Sequence, residues 1–261
     1  MRELKVASLQ LNISDDMTKQ DRIQYTLNQM EQASDADLIL LPEVWNIGYF
    51  SFNQYGEQSE TLNGPSISAV AEKADELNSY VFAGSIVERL EGELYNTSVM
   101  LDNDGEILDT YRKIHLFGYG SAETEILTPG EEIVVIETEI GNLGFSTCYD
   151  LRFPELFRKM MKKGAEIFLV TSGWPFPRLT NWTALNQARA AENICYLVSC
   201  NCAGENQGTQ FLGHSMIVDP WGTPIASSDH QERIVRAEID VSKVKEIRQE
   251  FPPLKDRVLE V

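Results

Sequence analysis

The sequence predicts an α/β domain of layered, mixed β-sheets with its helices on the outside. Three observations carry this. Apolar runs of strand length recur along the chain, some stretches between them carry apolar residues at helical spacing, and other neighbouring runs are joined by short turn signals. Strands that alternate with helices in places and pair as hairpins in others build a mixed sheet rather than a regular βαβ repeat.

The elements follow in order. "LKVASLQLN" reads as a strand, dense in β-compatible apolar residues. Asp15 and Asp16 precede a helix running to about residue 33, in which Ile23, Leu27 and Met30 form one apolar face. "DLILLPE" is wholly apolar up to Pro42, which suits a strand covered on both faces. Residues 66–78 read as a helix with Ile67, Val70 and Ala71 on one side, and "YVFAGSIVE" as the next strand. "LYNTSVMLDNDGEILDTYRKIHL" reads as two strands turning at Asn103-Asp104-Gly105, and "EIVVIETEIGNLGFSTC" as a second hairpin turning near Gly141-Asn142. "FPELFRKMMKKGA" is a helix closed by Gly164, "EIFLVTS" a strand, residues 180–193 a helix and "CYLVSCN" a strand. "GHSMIVDPWGTPIASS" turns at Asp219-Pro220-Trp221-Gly222, and "RIVRAEI" is the last strand.

The 261 residues fit one domain, with no linker or repeat to divide them. Lys and Arg number 22 against 40 Asp and Glu, a formal charge of −18, which disfavours nucleic acid and anionic membrane as partners. Four cysteines without a CxxC pair, and three histidines, predict no metal site; so few cysteines also suit a reducing compartment. The N-terminus lacks a long apolar h-region, and apolar runs such as "LILLP" are too short to span a bilayer, so the expectation is a cytoplasmic protein.

Reactive side chains stand at three inferred strand ends: Glu43 after "LILLP", Lys113 in "DTYRKIHLF" and Cys148 after "NLGFST". A thiol with a reference pKa of about 8.5 needs a base to become a nucleophile. A carboxylate takes its proton, and an ammonium holds a developing oxyanion, so the three suit acyl transfer. Free cysteine is also among the most buried residue types. Taken alone, residue type and position favour a core role for Cys148 over a displayed thiol, with Glu43 as a solvated loop charge and Lys113 as a strand-edge charge. Cys195 and Cys200 sit in an apolar strand and read as core, and Cys202 borders the possible site.

The contexts of these residues reverse that preference. "LILLPEVWNIGY", "YRKIHLF" and "GFSTCYDLRFPELFR" resemble, in this order, the glutamate, lysine and cysteine motifs of the nitrilase, or carbon–nitrogen hydrolase, superfamily. "TPGEE", "QARAAEN" and "GHSMIVDPWG" resemble its accessory signatures, so the likeness covers nearly the whole chain. The resemblance implies a four-layer αββα sandwich with two mixed β-sheets and helices outside, a homodimer, and catalysis without metal or organic cofactor. It implies Glu43 as general base, Lys113 as oxyanion-stabilising cation and Cys148 as nucleophile forming a thioester. A second glutamate precedes the "TPG" turn in many members; Glu123 falls at that place, with Glu125 as the neighbour that competes for it. The backbone N–H of Tyr149 completes the implied oxyanion hole.

The Cys-Tyr-Asp-Leu-Arg-Phe-Pro-Glu context is most similar to the branch holding ω-amidases and deaminated-glutathione amidases, and it lacks the Cys-Trp-Glu of true nitrilases. The implied reaction is ammonia release from a small carboxylate-bearing amide such as 2-oxoglutaramate. Deaminated glutathione and N-carbamoyl substrates are the alternatives, and a silent binding or scaffold protein a distant one. Arg152 either binds a substrate carboxylate or forms a structural ion pair with Asp150 or Glu155. Tyr49, Trp174, Phe176 and Phe117 are candidate pocket residues. His115 stands two residues from Lys113; on a strand it shares that residue's side, as pocket or structural residue.

Overall fold

The computed structural model describes residues 3–259. Within them, two six-stranded sheets lie face to face. One runs in the order Arg233–Ile239, Leu4–Gln10, Leu38–Leu40, Tyr80–Leu90, Glu93–Leu101, Ile107–Arg112. The other runs Pro224–Ser227, Met216–Val218, Tyr196–Asn201, Ile167–Ser172, Gly141–Thr147, Val135–Thr138. In each, parallel pairs occupy the centre and antiparallel strands the edges, as the mixture of crossovers and hairpins requires.

The period-2 alternation of side chains sorts the core into three layers. Val6, Leu38, Leu40 and Phe82 of the first sheet meet Phe145, Leu169 and Val198 of the second between the sheets. Phe82 and Phe145 touch there with ring centroids 5.0 Å apart. The odd partners Ala7, Leu9, Ile39 and Leu41 face the other way, onto Ile23 and Met30 of helix Lys19–Gln32 and Ile67 and Val70 of helix Pro65–Leu77. On the far side Phe168, Val170 and Leu197 pack under Phe157 and Met160 of helix Pro154–Lys162 and Trp182 of helix Leu179–Asn193. The result is a helix–sheet–sheet–helix sandwich, as the resemblance implies.

Boundaries differ where a side chain decides them. The first helix starts after Thr18, not after Asp15 and Asp16, because the Thr18 hydroxyl and Asp21 carboxylate close a reciprocal cap. The second hairpin turns at 139–140, just ahead of Gly141-Asn142. A helix at Ser242–Glu250 and a small sheet of Asn12–Ile13, Ala203–Asn206 and Thr209–Gln210 add to the expected elements. No helix among the described residues is long and apolar enough to cross a membrane.

Candidate active site

Glu43 follows the central strand of the first sheet. Its loop enters a gap opened by Gly84, where strand Tyr80–Leu90 breaks register between Phe82 and Ser85. Gly84 has φ +64°, and a Cβ there would meet the Pro42 carbonyl oxygen at 2.1 Å. The Glu43 N–H then donates to Ser172 O at 3.3 Å and the Val44 N–H to Ser85 Oγ at 3.1 Å, so the glutamate is tied to both sheets.

Lys113 stands one residue past strand Ile107–Arg112, its N–H on Asn96 O and its carbonyl accepting from Gly130 N, each at 2.9 Å. Its ammonium reaches Glu43 Oε1 at 2.9 Å and both oxygens of Glu123 at 2.9 Å, and all three side chains are fully buried. Of the two competing glutamates, Glu123 meets Lys113; Glu125 faces solvent. Tyr49 OH donates to Glu123 Oε2 at 3.0 Å and Phe117 N–H to the same oxygen at 2.7 Å, while Gly173 N–H donates to Glu43 Oε2 at 2.7 Å. Asn96, absent from the sequence-based candidates, bridges the two carboxylates, its Nδ2 lying 2.8 Å from Glu43 and 3.1 Å from Glu123. An asparagine inside a strand is unusual for its position, and that is the signal which marks it.

Cys148 closes strand Gly141–Thr147 and opens a short 3₁₀ helix, Cys148–Arg152, at φ +50°. A non-glycine residue holds this left-handed conformation only where its surroundings enforce it. Asp150 does so: its Oδ2 accepts from Thr147 N–H at 2.9 Å and Tyr111 OH at 2.6 Å, and its Oδ1 from His115 N–H at 3.0 Å, with His115 Nδ1 at 2.7 Å. The Tyr149 amide lies in the first turn of the helix, where N–H groups lack a carbonyl partner inside it.

The electrostatics follow from two carboxylates and one ammonium in a dry site. Burial pushes the Glu43 carboxyl above its ordinary value; Lys113 opposes this and Glu123 adds to it. Burial works against the Lys113 ammonium, but Glu123 and Glu43 hold its pKa well above the usual lysine value. Burial and then the Glu43 charge push the Cys148 thiol up, with Lys113 pulling it back. A free thiolate beside an ionised Glu43 would add a further negative charge to the dry site, which burial disfavours.

The remaining candidates spread around this centre. Tyr49 is buried beneath it, with the Lys113 ammonium 5.3 Å from its ring. Trp174 is buried in the same apolar cluster as Cys148, and the Arg152 guanidinium lies 4.8 Å over its ring. Among the described residues Arg152 pairs with neither Asp150 nor Glu155: Asp150 is held by the donors above. The strand stops at Arg112, so strand alternation does not relate His115 to Lys113; His115 stacks on Phe153 at 3.7 Å and braces Asp150. Phe117 contacts the Tyr149 ring at 5.0 Å, whereas Phe176 is 57% exposed at the surface. Cys202 borders the site through its Sγ, 3.6 Å from Glu43 O, and Cys195 and Cys200 are core. Among the described residues no three His, Cys, Asp or Glu side chains are grouped so as to hold a metal ion.

Comparison with known proteins agrees over nearly the whole chain. Residues 5–249 match the carbon–nitrogen hydrolase family model. A 2-oxoglutaramate amidase of Paenarthrobacter nicotinovorans is 35% identical over 98% of this chain and 90% of its own length. A 2-oxoglutaramate amidase of Bacillus subtilis is 38% identical over 87% of this chain and 86% of its own. The crystal structure of Saccharomyces cerevisiae Nit3, a member of branch 10 of the nitrilase superfamily, superposes with a TM-score of 0.91 at 32% identity, covering 99% of this chain and 97% of that one. The chain therefore belongs to the carbon–nitrogen hydrolase family and is a carbon–nitrogen hydrolase of the nitrilase superfamily.

Proposed function

We propose that the protein is an ω-amidase, releasing ammonia from a small carboxylate-bearing amide such as 2-oxoglutaramate through a thioester on Cys148. The observation that carries this is the buried Glu43–Lys113–Glu123 cluster beside a cysteine held in a left-handed turn. The likeness to two 2-oxoglutaramate amidases supports the substrate class.

Glu43 takes the Cys148 proton as the sulfur attacks the amide carbonyl carbon, so the site never holds carboxylate and thiolate together for long. Lys113 and the Tyr149 N–H receive the oxyanion. On collapse the C–N bond breaks and protonated Glu43 gives its proton to the nitrogen, which leaves as ammonia. A water, deprotonated by Glu43, attacks the thioester carbonyl, and the sulfur leaves and is reprotonated. Glu123, pinned by Tyr49 and Phe117, holds Lys113 in place. Arg152, spread over Trp174 with no carboxylate partner among the described residues, is the receptor for the substrate carboxylate. Location in the cytoplasm and assembly as a homodimer are part of this reading; four unpaired cysteines and the family likeness support them.

Ammonia release is to be measured on 2-oxoglutaramate, succinamate, deaminated glutathione, an N-carbamoyl amino acid and a plain nitrile. The ω-amides are expected to turn over fastest. Turnover of the nitrile or the N-carbamoyl compound alone overturns the proposal.

A further inference from the structure

Ser172 ends strand Ile167–Ser172, which runs parallel to Gly141–Thr147 with Thr171 opposite Thr147. The next residues along the two strands are Ser172 and Cys148. Thr171 turns its hydroxyl toward the first sheet, bonding Leu41 O at 3.0 Å. By alternation Ser172 takes the opposite face, shared with Val170, and Val170 packs in the cluster that contains Cys148. The backbone around Ser172 is committed to Glu43: its carbonyl accepts the Glu43 N–H, and the following Gly173 N–H donates to Glu43 Oε2.

The Ser172 side chain, by contrast, is uncommitted. Its hydroxyl is fully buried and has no hydrogen-bond partner among the described residues. A buried hydroxyl left unpaired costs stability, and folded proteins keep few of them. A serine that stabilises nothing at rest, beside the two groups that exchange the catalytic proton, is placed for a state other than the resting one.

We propose that Ser172 is a further catalytic residue, whose hydroxyl donates a hydrogen bond to the Cys148 sulfur when Glu43 has taken the thiol proton. This rests on Cys148 being the nucleophile. The S–H bond breaks, its proton passes to a Glu43 oxygen, and the electron pair stays on sulfur. Ser172 keeps its own proton and turns the O–H toward the sulfur. The same donor meets the sulfur again when it leaves the thioester. The Ser172 hydroxyl joins Lys113 in favouring the thiolate, against burial and the Glu43 charge.

Ser172→Ala removes the hydroxyl alone. Alkylation of Cys148 by iodoacetamide, followed by intact mass across pH, tests it on the whole protein. The variant is expected to react about tenfold or more slowly near neutral pH, the scale of a hydrogen bond to a charged group, with its rate profile moved to higher pH. The melting temperature is expected to hold or rise, since no bond is lost. An unmoved profile overturns the proposal whatever the melting temperature does. Cys148→Ala, assayed in parallel for ammonia release from 2-oxoglutaramate, separates the two assignments. Persisting turnover there removes the nucleophile and with it the serine's role; lost turnover there, with wild-type alkylation in Ser172→Ala, removes the serine's role only.

Discussion

Asn96 Nδ2 lies 2.8 Å from Glu43 Oε1 and 3.1 Å from Glu123 Oε1, so one neutral amide joins two buried carboxylates that Lys113 also joins. Two like charges this close stay ionised only with donors between them. The amide and the ammonium together supply the donors that the proposed base Glu43 shares with Glu123. Asn96→Ala is expected to lower kcat/KM about tenfold and to move its acid limb to higher pH, because ionised Glu43 loses a donor. Rate measurements from pH to pH on wild type and variant check this; a lower rate with an unmoved limb counts against it.

The pH dependence of the wild type follows from the same site. Burial raises the Glu43 pKa above its ordinary 4.5, so the folded protein binds that proton more tightly than the unfolded chain. Stability from this group is therefore present below 4.5 and is lost as pH rises through the folded value. Activity runs the opposite way, since the base must be free. The acid limb of kcat/KM is expected above 4.5. Glu43→Gln is expected to lose about 10²–10⁴ in rate, and a residual activity without the acid limb identifies the limb as Glu43.

Removing the cation leaves both carboxylates facing each other in a dry site. Lys113→Met is expected to abolish ammonia release and to cost about 3–5 kcal/mol of stability, measured by denaturant unfolding. Wild-type stability in this variant is incompatible with a buried Glu43–Lys113–Glu123 cluster.

In the proposed reading, Arg152 serves substrate recognition and not the chemistry. Arg152→Met keeps an unbranched side chain and removes the guanidinium that lies over Trp174. KM for 2-oxoglutaramate is expected to rise about tenfold to a hundredfold, with little change for a neutral amide of similar size. Equal losses on both substrates point to a structural arginine.

The strand ends were legible in the sequence because each reactive residue follows a run of unmistakable strand character: "LILLP", "DTYR" and "NLGFST". Their convergence was not, since contacts such as Lys113–Glu43 span 70 residues and arise only when distant strands are assembled into the first sheet, with Cys148 brought in by the second. The family likeness supplied what periodicity lacked. Asn96 sits inside "LYNTSVML", where an asparagine in a strand is its one signal and periodicity gives it no partner. Asp150 looked like a partner for Arg152 because they are two residues apart, yet its donors come from Tyr111 and His115, 39 and 35 residues away. The left-handed turn at Cys148 has no glycine to announce it; it is imposed by those distant donors.

The thioester on Cys148 is tested most directly by rapid-quench intact mass spectrometry with 2-oxoglutaramate. Wild-type protein is expected to gain the mass of the substrate less ammonia during turnover, on Cys148, and Cys148→Ala to gain nothing and release no ammonia. An adduct on Cys195, Cys200 or Cys202, or ammonia release that persists in Cys148→Ala, contradicts it.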